Sequence, residues 1–268
     1  MDAITSRQNA VVKRFRALAR TAPTAAGEIL LDGAHLIHEA LAAHVAVDVA
    51  VFAQPQLDRS PALSELSRRV TATGGRVVVA SEHVFSAMAP VRQPSGVVAI
   101  ARAKPVALAT AFQGPTPLVL IVAGVQDPGN VGAIIRSAAA LGATAVVATE
   151  GSANPFGWKA LRGAMGATFR ISVVAAASLD DVMAAARSFG VSLVAAVPRG
   201  GTPLPDARLA DGCALVVGGE GGGLPEAVIA AARAQITIPM RGQIESLNVA
   251  IAAAVVLYEA SRQRAEGR

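Results

Sequence analysis

Residues 118–149 read LVLIVAGVQDPGNVGAIIRSAAALGATAVVAT, and this stretch decides the fold. An apolar run at 118–125 ends in a polar turn, a helical pattern follows at 131–141, and a second apolar run occupies 143–149. Apolar strands that alternate with helices are typical of a parallel sheet covered on both faces. The stretch therefore predicts an α/β domain.

The same alternation continues towards the C-terminus. Further strands are expected at 191–197, 213–219 and 235–240, and helices at 157–163, 179–189 and 247–262. The last helix contains LNVAIAAAVVLYEA and is apolar almost all round. We expect it to be buried in the core or in a subunit interface.

A smaller α/β unit is predicted ahead of this domain. Its helices are expected at 5–20, 34–43, 60–70 and 81–88, and its strands at 28–32, 45–52, 76–80 and 96–100. Prolines flank a weak helix in KPVALATAFQGPTP, residues 104–117, which is typical of a linker. We therefore predict two domains, residues 1–105 and 106–268.

The composition limits the compartment and the chemistry. No apolar run reaches the roughly 18 residues of a membrane span, and the charged N-terminus lacks the apolar core of a secretory signal. Cys213 is the only cysteine, which excludes an intramolecular disulfide and a thiolate metal cluster. A cytoplasmic protein that makes no use of a membrane or a metal is expected.

Basic residues crowd the first predicted helix, where Asp2 is the only acidic neighbour. They are Arg7, Lys13, Arg14, Arg16 and Arg20, in a chain of net charge +5. This asymmetry favours a polyanionic partner, and a solvated basic helix is the alternative. With 3% aromatic residues, broad base-stacking platforms are not expected, so structured RNA read through its backbone is the favoured partner.

Three loops of the second domain carry its unusual polar residues, and each follows an apolar strand. Ligands of open α/β sheets bind at this edge. In the first loop, DPGNVGAIIR at 127–136, Asn130 is expected to cap the following helix, whose start can hold an anion. Arg136 lies beside small residues on that helix. An ordinary capped helix with a solvated arginine is the alternative.

The second loop, GGEGGGLP at 218–225, surrounds Glu220 with five glycines. Glycines permit positive φ and a close approach of the backbone to a ligand, so a functional loop is favoured. No Gly-Lys-Ser/Thr follows, and the pattern does not fit G-x-G-x-x-G. Both absences argue against a nucleotide-binding metabolic enzyme on a doubly wound sheet.

The third loop, IPMRGQIESLNV at 238–249, leads into the last helix. Ser246 is expected to cap that helix, which leaves Asn248 in its first turn without an explanation, because asparagine is a poor helix former. Elsewhere, His35 and His38 lack further ligands for a metal site. All four histidines lie in the first half, so no Ser-His-Asp arrangement is convincing.

Together the three loops resemble the motifs of the SpoU-type branch of the SPOUT RNA methyltransferases: N-x-G-x-x-x-R, G-x-E-G-x-G and S-L-N, in that order. The corresponding segments are NVGAIIR at 130–136, GGEGGG at 218–223 and SLN at 246–248. The resemblance covers about 118–262. The first half is similar, more loosely, to the small substrate-binding domain often fused ahead of this one, through LDGAHLI at 31–37 and QPSG at 93–96.

The resemblance implies an α/β-knot, a mostly parallel sheet threaded into a trefoil knot, behind a smaller α/β RNA-binding domain with a ribosomal-protein-like fold. It implies a homodimer and S-adenosylmethionine as the cofactor. The implied cofactor contacts are Gly218, Gly219, Ile238, Met240, Leu247 and Val249. The implied RNA contacts are Arg7, Lys13, Arg14 and Arg162.

The implied catalytic set comprises Asn130, Arg136, Glu220, Ser246 and Asn248. The resemblance implies that Arg136 is essential, either as a base or as a group that positions the substrate. We expect Asn130, Ser246 and Asn248 to orient Arg136 or the ribose, and Glu220 to brace its loop by accepting backbone N–H bonds.

The function implied is methylation of a ribose 2′-hydroxyl in structured RNA, with ribosomal RNA as the first choice and transfer RNA as the second. A non-catalytic RNA-binding or ribosome-assembly factor on the same fold is the alternative. The complete polar set argues against that alternative, because a binding module has little need of it. The sequence does not identify the nucleotide.

Overall fold

The computed structural model describes residues 2–20, 27–91, 93–219, 222–242 and 245–266. By their internal packing they form two units. The first is Met1–Lys104 with Phe156–Phe169, and the second is Pro105–Pro155 with Arg170–Arg268. The sequence-based boundary at 105 adjoins the first division but assigns 156–169 to the second domain. That the two units are the two functional domains stays a prediction.

The first part of the chain contains five strands and five helices within the described ranges. They are β1 Asp2–Ile4, α1 Ala10–Arg20, β2 Glu28–Asp32, α2 Ala34–Ala42, β3 Ala46–Ala53, α3 Gln54–Arg59, α4 Pro61–Ala72, β4 Arg76–Ala80, α5 Glu82–Ser86 and β5 Val97–Arg102. The sheet order is β1-β4-β3-β5-β2, in which β4 pairs in parallel with β1 and β3, and β5 pairs antiparallel with β3 and β2. Phe15, Phe52 and Phe85 are fully buried in this unit.

The helix predicted near 60–70 is part of a longer helical stretch that breaks at Ser60. Ser60 has an extended backbone, as residues before proline prefer, and its Oγ accepts a hydrogen bond from the Leu63 amide at 3.3 Å. Pro61 then opens α4, where its missing N–H has no helical partner to lose. The cap and the proline together separate α3 from α4.

The remaining elements follow in chain order. They are α6 Leu108–Ala111, β6 Leu118–Ala123, α7 Pro128–Ala140, β7 Ala145–Thr149, α8 Trp158–Ala164, β8 Ser172–Ala177, α9 Leu179–Ser188, β9 Ser192–Ala196, β10 Thr202–Pro203, β11 Cys213–Gly218, α10 Glu226–Ala231, β12 Ala234–Thr237 and α11 Val249–Glu266. All belong to the second unit except α8, which lies in the first.

The sheet of the second unit has the order β10-β12-β9-β11-β6-β7-β8, and all its strand pairs are parallel. Every residue of β6 and β7 is buried, which explains their near-continuous apolar sequences. The predicted α/β class with a mostly parallel sheet is confirmed. After β8 the chain crosses the sheet to β9, and β11 lies between β9 and β6. The trefoil knot stays a prediction that rests on the resemblance.

The sequence patterns miss the short or atypical elements. They are the three-residue edge strand β1, the short helices α3 and α10, the edge strand β8 with its alanine-rich sequence and the two-residue β10. None of the described helices is long and apolar enough to cross a membrane.

Candidate active site

A cavity of about 620 Å³ lies at the carboxyl edge of the parallel sheet in the second unit. Three neighbouring strands, β9, β11 and β12, end there because they run in the same direction. The residues that follow these strands line the cavity on one side, and the start of α11 lines it on the other. This is the edge at which ligands of α/β sheets bind.

All six residues expected to contact a cofactor line this one cavity. Gly218 and Gly219 come from the end of β11, Ile238 and Met240 from the loop after β12, and Leu247 and Val249 from the start of α11. Two of the three loops that the sequence singles out therefore line the same cavity. Most of the lining is apolar or backbone.

Two glycines of the second loop allow its backbone to pack against neighbouring chain. A Cβ on Gly218 would lie 2.6 Å from the Gly223 carbonyl, and one on Gly219 would lie 2.2 Å from the Gly124 carbonyl oxygen. Gly219 also donates its N–H to the Ala123 carbonyl at 2.8 Å and forms an isolated bridge with Gly223. These glycines close the loop against the end of β6, where a side chain would not fit.

Asn248, and not Ser246, caps α11. Its Oδ1 accepts hydrogen bonds from the amides of Ala250 at 2.9 Å and Ile251 at 3.4 Å. The expectation that Ser246 is the cap is therefore wrong, because α11 begins at Val249, two residues later than predicted. Ser246 lies exposed beside the cavity.

The cap leaves the Asn248 amide group free to point elsewhere. Its Nδ2 donates a hydrogen bond to Asn130 Oδ1 at 3.2 Å. Asn130 belongs to α7, which packs against α11. Two residues 118 positions apart in the sequence, both in the predicted catalytic set, are thus in direct contact.

Asn130 is not the cap of α7, contrary to the expectation from the sequence. The cap is Asp127, whose Oδ1 accepts a hydrogen bond from the Asn130 amide at 2.7 Å, and Pro128 opens the helix. Aspartate and asparagine cap helices equally well, so the candidate positions in DPGN could not be ranked from residue type alone. With Asp127 as the cap, the Asn130 side chain is available to Asn248.

Arg136 lies on α7 with an exposed side chain. Its guanidinium forms no hydrogen bond or ion pair with the part of the chain that the structure describes, and Arg136 does not line the cavity. Glu220, the remaining member of the predicted catalytic set, lies outside the described residues. Among the described residues, no group of three or more histidine, cysteine, aspartate or glutamate side chains is arranged to hold a metal ion.

One face of α11 is buried and another is apolar and exposed, so burial in the core, the first of the two expectations for this helix, holds for one side only. Ala253, Val256 and Leu257 are fully buried on one side, whereas Ile251 is 56% and Tyr258 62% exposed on the other. The exposed side forms a groove with Ala133 and Ser137 of α7. An apolar side chain run of this kind on a surface indicates an interface.

The predicted RNA contacts in the first unit differ in whether their side chains have partners within the fold. Lys13 is exposed, and the Arg7 Nη2 lies 3.2 Å from His83 Nδ1. Arg14 forms ion pairs with Glu28 and with Asp48, and the hydrogen bond to Glu28 is the main cause that raises its pKa.

Arg162, on α8, forms a longer ion pair with Asp32 in the same unit, at 3.4 Å. Arg14 and Arg162 thus have internal carboxylate partners, which their positions in the sequence do not reveal.

Residues 117–258 match the SpoU rRNA Methylase family, and the chain belongs to this family. Residues 9–99 match the MRM3-like substrate binding domain. The resemblance drawn from the three loops and the prediction of an RNA methyltransferase are confirmed.

Similar proteins resemble this chain along almost its whole length. The 23S rRNA (guanosine(2553)-2′-O)-methyltransferase RlmP of Bacillus subtilis is 34% identical over 96% of this chain and 98% of its own. An uncharacterized tRNA/rRNA methyltransferase of Synechocystis, slr1673, is 33% identical over 97% of this chain and 94% of its own. A crystal structure of an AdoMet-bound rRNA methyltransferase from Sinorhizobium meliloti superposes with a TM-score of 0.86, at 29% identity, over 97% of both chains.

Proposed function

We propose that this protein transfers the methyl group of S-adenosylmethionine to a ribose 2′-hydroxyl of large-subunit ribosomal RNA. The observation that carries the proposal is the convergence of the predicted residues. Six line one cavity, and the Asn130–Asn248 pair lies where α11 leaves that cavity. The similarity to RlmP, whose name states 2′-O-methylation of 23S rRNA, supports the choice of hydroxyl and RNA.

The cavity suits S-adenosylmethionine in size and chemistry. About 620 Å³ is within the roughly 300–1,000 Å³ of small-molecule sites. Ile238, Met240 and Leu247 offer apolar surface for an adenine ring, and at Gly218 and Gly219 the loop backbone lines the cavity without a side chain to keep a ligand away. When bound there, the cofactor supplies an electrophilic methyl group on a sulfonium.

The polar residues then act on the ribose. A hydroxyl is a weak nucleophile, so the developing negative charge on its oxygen needs stabilisation or its proton needs a base. Arg136 is the residue for this role, because its guanidinium is exposed and has no partner among the described residues. Because a guanidinium keeps its positive charge in proteins, electrostatic stabilisation and positioning suit Arg136 better than proton removal, and the hydroxyl proton passes to solvent.

Asn130 and Asn248 hold the position at which the ribose meets Arg136. Their hydrogen bond joins the first turn of α7 to the cap of α11, so it fixes Arg136 relative to the cavity wall. Ser246, exposed at the cavity, orients the ribose by a hydrogen bond.

The exposed apolar face of α11 supports a homodimer. Ile251, Val255 and Tyr258 lie on this face, and they adjoin the helix start that lines the cavity. A second copy of the chain that covers this face would remove these side chains from water. The dimer would then be linked to the geometry of the site.

The first unit and its basic residues bind the RNA in this proposal. Arg7, Lys13, Arg14 and Arg162 supply phosphate contacts, so binding weakens steeply with salt. A ribosomal RNA substrate also places the reaction in the cytoplasm, where ribosomes are assembled.

The test is transfer of labelled methyl from S-adenosylmethionine into unmodified ribosomal RNA and transfer RNA, with nucleoside digestion to locate the label. Arg136→Ala should lower transfer by about 10²- to 10³-fold and leave cofactor affinity nearly unchanged. Arg187→Ala is the matched control, because Arg187 is another exposed helical arginine of the second unit.

Label on a ribose of ribosomal RNA that requires Arg136 would support the proposal. Label found only in transfer RNA would show that transfer RNA, and not ribosomal RNA, is the substrate. Tight RNA binding without any transfer would favour the non-catalytic factor.

A further inference from the structure

The first unit contains a carboxylate that its own fold does not satisfy. Asp32, the last residue of β2, has a side chain only 6% exposed. One oxygen, Oδ2, lies 3.4 Å from Arg162 Nη1, and the other, Oδ1, is buried and has no hydrogen-bond partner among the residues that the structure describes. Burial raises the pKa of Asp32, and the positive charge of Arg162 opposes this only in part. An unsatisfied buried carboxylate destabilises a fold.

Asp48, in the same unit, shows what a structural carboxylate looks like here. It accepts hydrogen bonds from Arg14 and Arg102, all at 3.0 Å. These bonds hold the pKa of Asp48 below its ordinary value, with Arg102 as the main cause. The pKa of Asp32 is shifted the other way, and its ion pair with Arg162 is longer, at 3.4 Å. A pair of this geometry does not recover the cost of burying its charges, so stability does not explain it.

The partner of Asp32 lies on a helix that is fixed firmly to the same unit. The Trp158 Nε1 donates to the Ala19 carbonyl at 3.0 Å at the start of α8, and His35 Nε2 lies 3.3 Å from the Met165 carbonyl at its end. These contacts at both ends hold α8 against the unit. They fix its backbone without using Arg162.

The guanidinium itself faces solvent. The Arg162 side chain is 48% exposed, and Lys159, one turn earlier on α8, is exposed as well. Residues three apart share a helix face. A guanidinium has five N–H donors, so one contact to Asp32 leaves most of them for a ligand. Two cations on one rigid face, one of them held by a buried carboxylate, fit a phosphate group.

We propose that Asp32 is a positioning residue for substrate RNA: it holds one edge of Arg162 so that the rest of the guanidinium, with Lys159, contacts a backbone phosphate. The inference rests on the proposed function, in which this unit binds the RNA. It adds a role for Asp32, the first residue of the Asp-Gly step before α2. The unfavourable burial of Asp32 Oδ1 is then tolerated because the other oxygen holds Arg162 in a fixed position at the surface.

The experiment measures the Kd of full-length protein for an unmodified 23S rRNA transcript, with Asp32→Asn, Arg162→Ala and the double variant. Each single variant should weaken binding by about 3- to 10-fold, and the double variant should be no weaker than Arg162→Ala alone. Arg162→Lys should bind better than Arg162→Ala. Arg68→Ala, which removes an exposed pair with Glu65 in the same unit, should bind as wild type.

Two further readouts separate positioning from a structural role. The KM for S-adenosylmethionine should stay unchanged, and Asp32→Asn should not lower Tm, because it removes an unsatisfied charge. Unchanged RNA affinity in Asp32→Asn would overturn the proposal. The proposal would also be overturned if Asp32→Asn weakened RNA binding by the same factor in the wild type and in the Arg162→Ala variant. If wild type binds RNA but transfers no methyl, the proposed reaction fails while the affinities still decide the role of Asp32.

Discussion

The two units use their sheets in different ways. In the second unit all strands are parallel, so the loops that follow them meet at one edge and enclose a cavity of about 620 Å³. In the first unit the sheet is mixed, and its notable side chains are charged pairs such as Arg14 with Asp48 and Arg162 with Asp32. The proposed function assigns the chemistry to the unit that gathers loops, and RNA contact to the unit that carries surface cations.

The largest effect that we expect is the loss of cofactor binding when a side chain is added to the glycine loop of the cavity. It tests the division of functions between the units. In Gly219→Ala the new Cβ would lie 2.2 Å from the Gly124 carbonyl oxygen, and the backbone must move to relieve the overlap. We expect binding of S-adenosylmethionine, measured by calorimetry, to be lost, together with methyl transfer. RNA affinity should change little.

Gly222→Ala is the control within the same loop, because a Cβ there meets nothing within 4 Å. It should bind the cofactor nearly as wild type. Loss of RNA affinity in Gly219→Ala alongside the cofactor would show that the two functions are not divided between the units.

The next effect concerns the asparagine pair, and it separates capping from catalysis. Asn248→Asp keeps an oxygen that can cap α11 but removes the Nδ2 that donates to Asn130. We expect kcat to fall by about 10- to 100-fold through misplacement of the site, with little change in Tm. Asn248→Ala loses the cap as well, so its unfolding free energy should fall by about 1 kcal/mol. Wild-type kcat in Asn248→Asp would show that the pair is structural only.

The sequence predicts where this site lies, but it does not predict which residues cap the helices around it. The motif loops lie at the carboxyl ends of predicted strands, and the parallel sheet brings two of them around one cavity. Which residue caps each helix was not decided by residue type, because Asp127 and Asn130 are both good caps, as are Ser246 and Asn248. The register of a helix start depends on packing, which no local pattern contains.

Long-range partners are the other limit of the sequence. Residues 156–169 lie between β7 and β8 in the chain, yet they pack within the first unit. Nothing in the helical pattern of α8 indicates that Arg162 meets Asp32, which is 130 positions away. In the same way, a basic first helix predicts a polyanion site, whereas the carboxylates that engage Arg14 appear only in the fold.

A smaller effect is expected at the exposed face of α11. Tyr258→Lys places a charge in the apolar groove and should convert a dimer into a monomer, measured by analytical ultracentrifugation. Met165→Lys changes an exposed apolar side chain of the first unit and is the control, since Met165 is 44% exposed. A wild-type monomer, or a dimer that survives Tyr258→Lys, would contradict the proposed interface.

The smallest effect is one of stability and pH, and it concerns Asp32 itself. Burial raises the pKa of Asp32 in the folded state, so the fold favours the protonated acid. This favourable contribution is fully present below the unfolded pKa of about 3.9 and is lost as the pH rises through the folded pKa. The neutral amide of the Asp32→Asn variant carries no such dependence.

Asp32→Asn should therefore be more stable than wild type at pH 8, by about 1 kcal/mol or more, and the difference should shrink as the pH falls towards 4. Urea unfolding at several pH values measures it. A variant that is less stable than wild type at pH 8 would show that the fold depends on the ionised pair with Arg162. The contrast with Asp48 would then disappear, because both carboxylates would stabilise the unit that contains them.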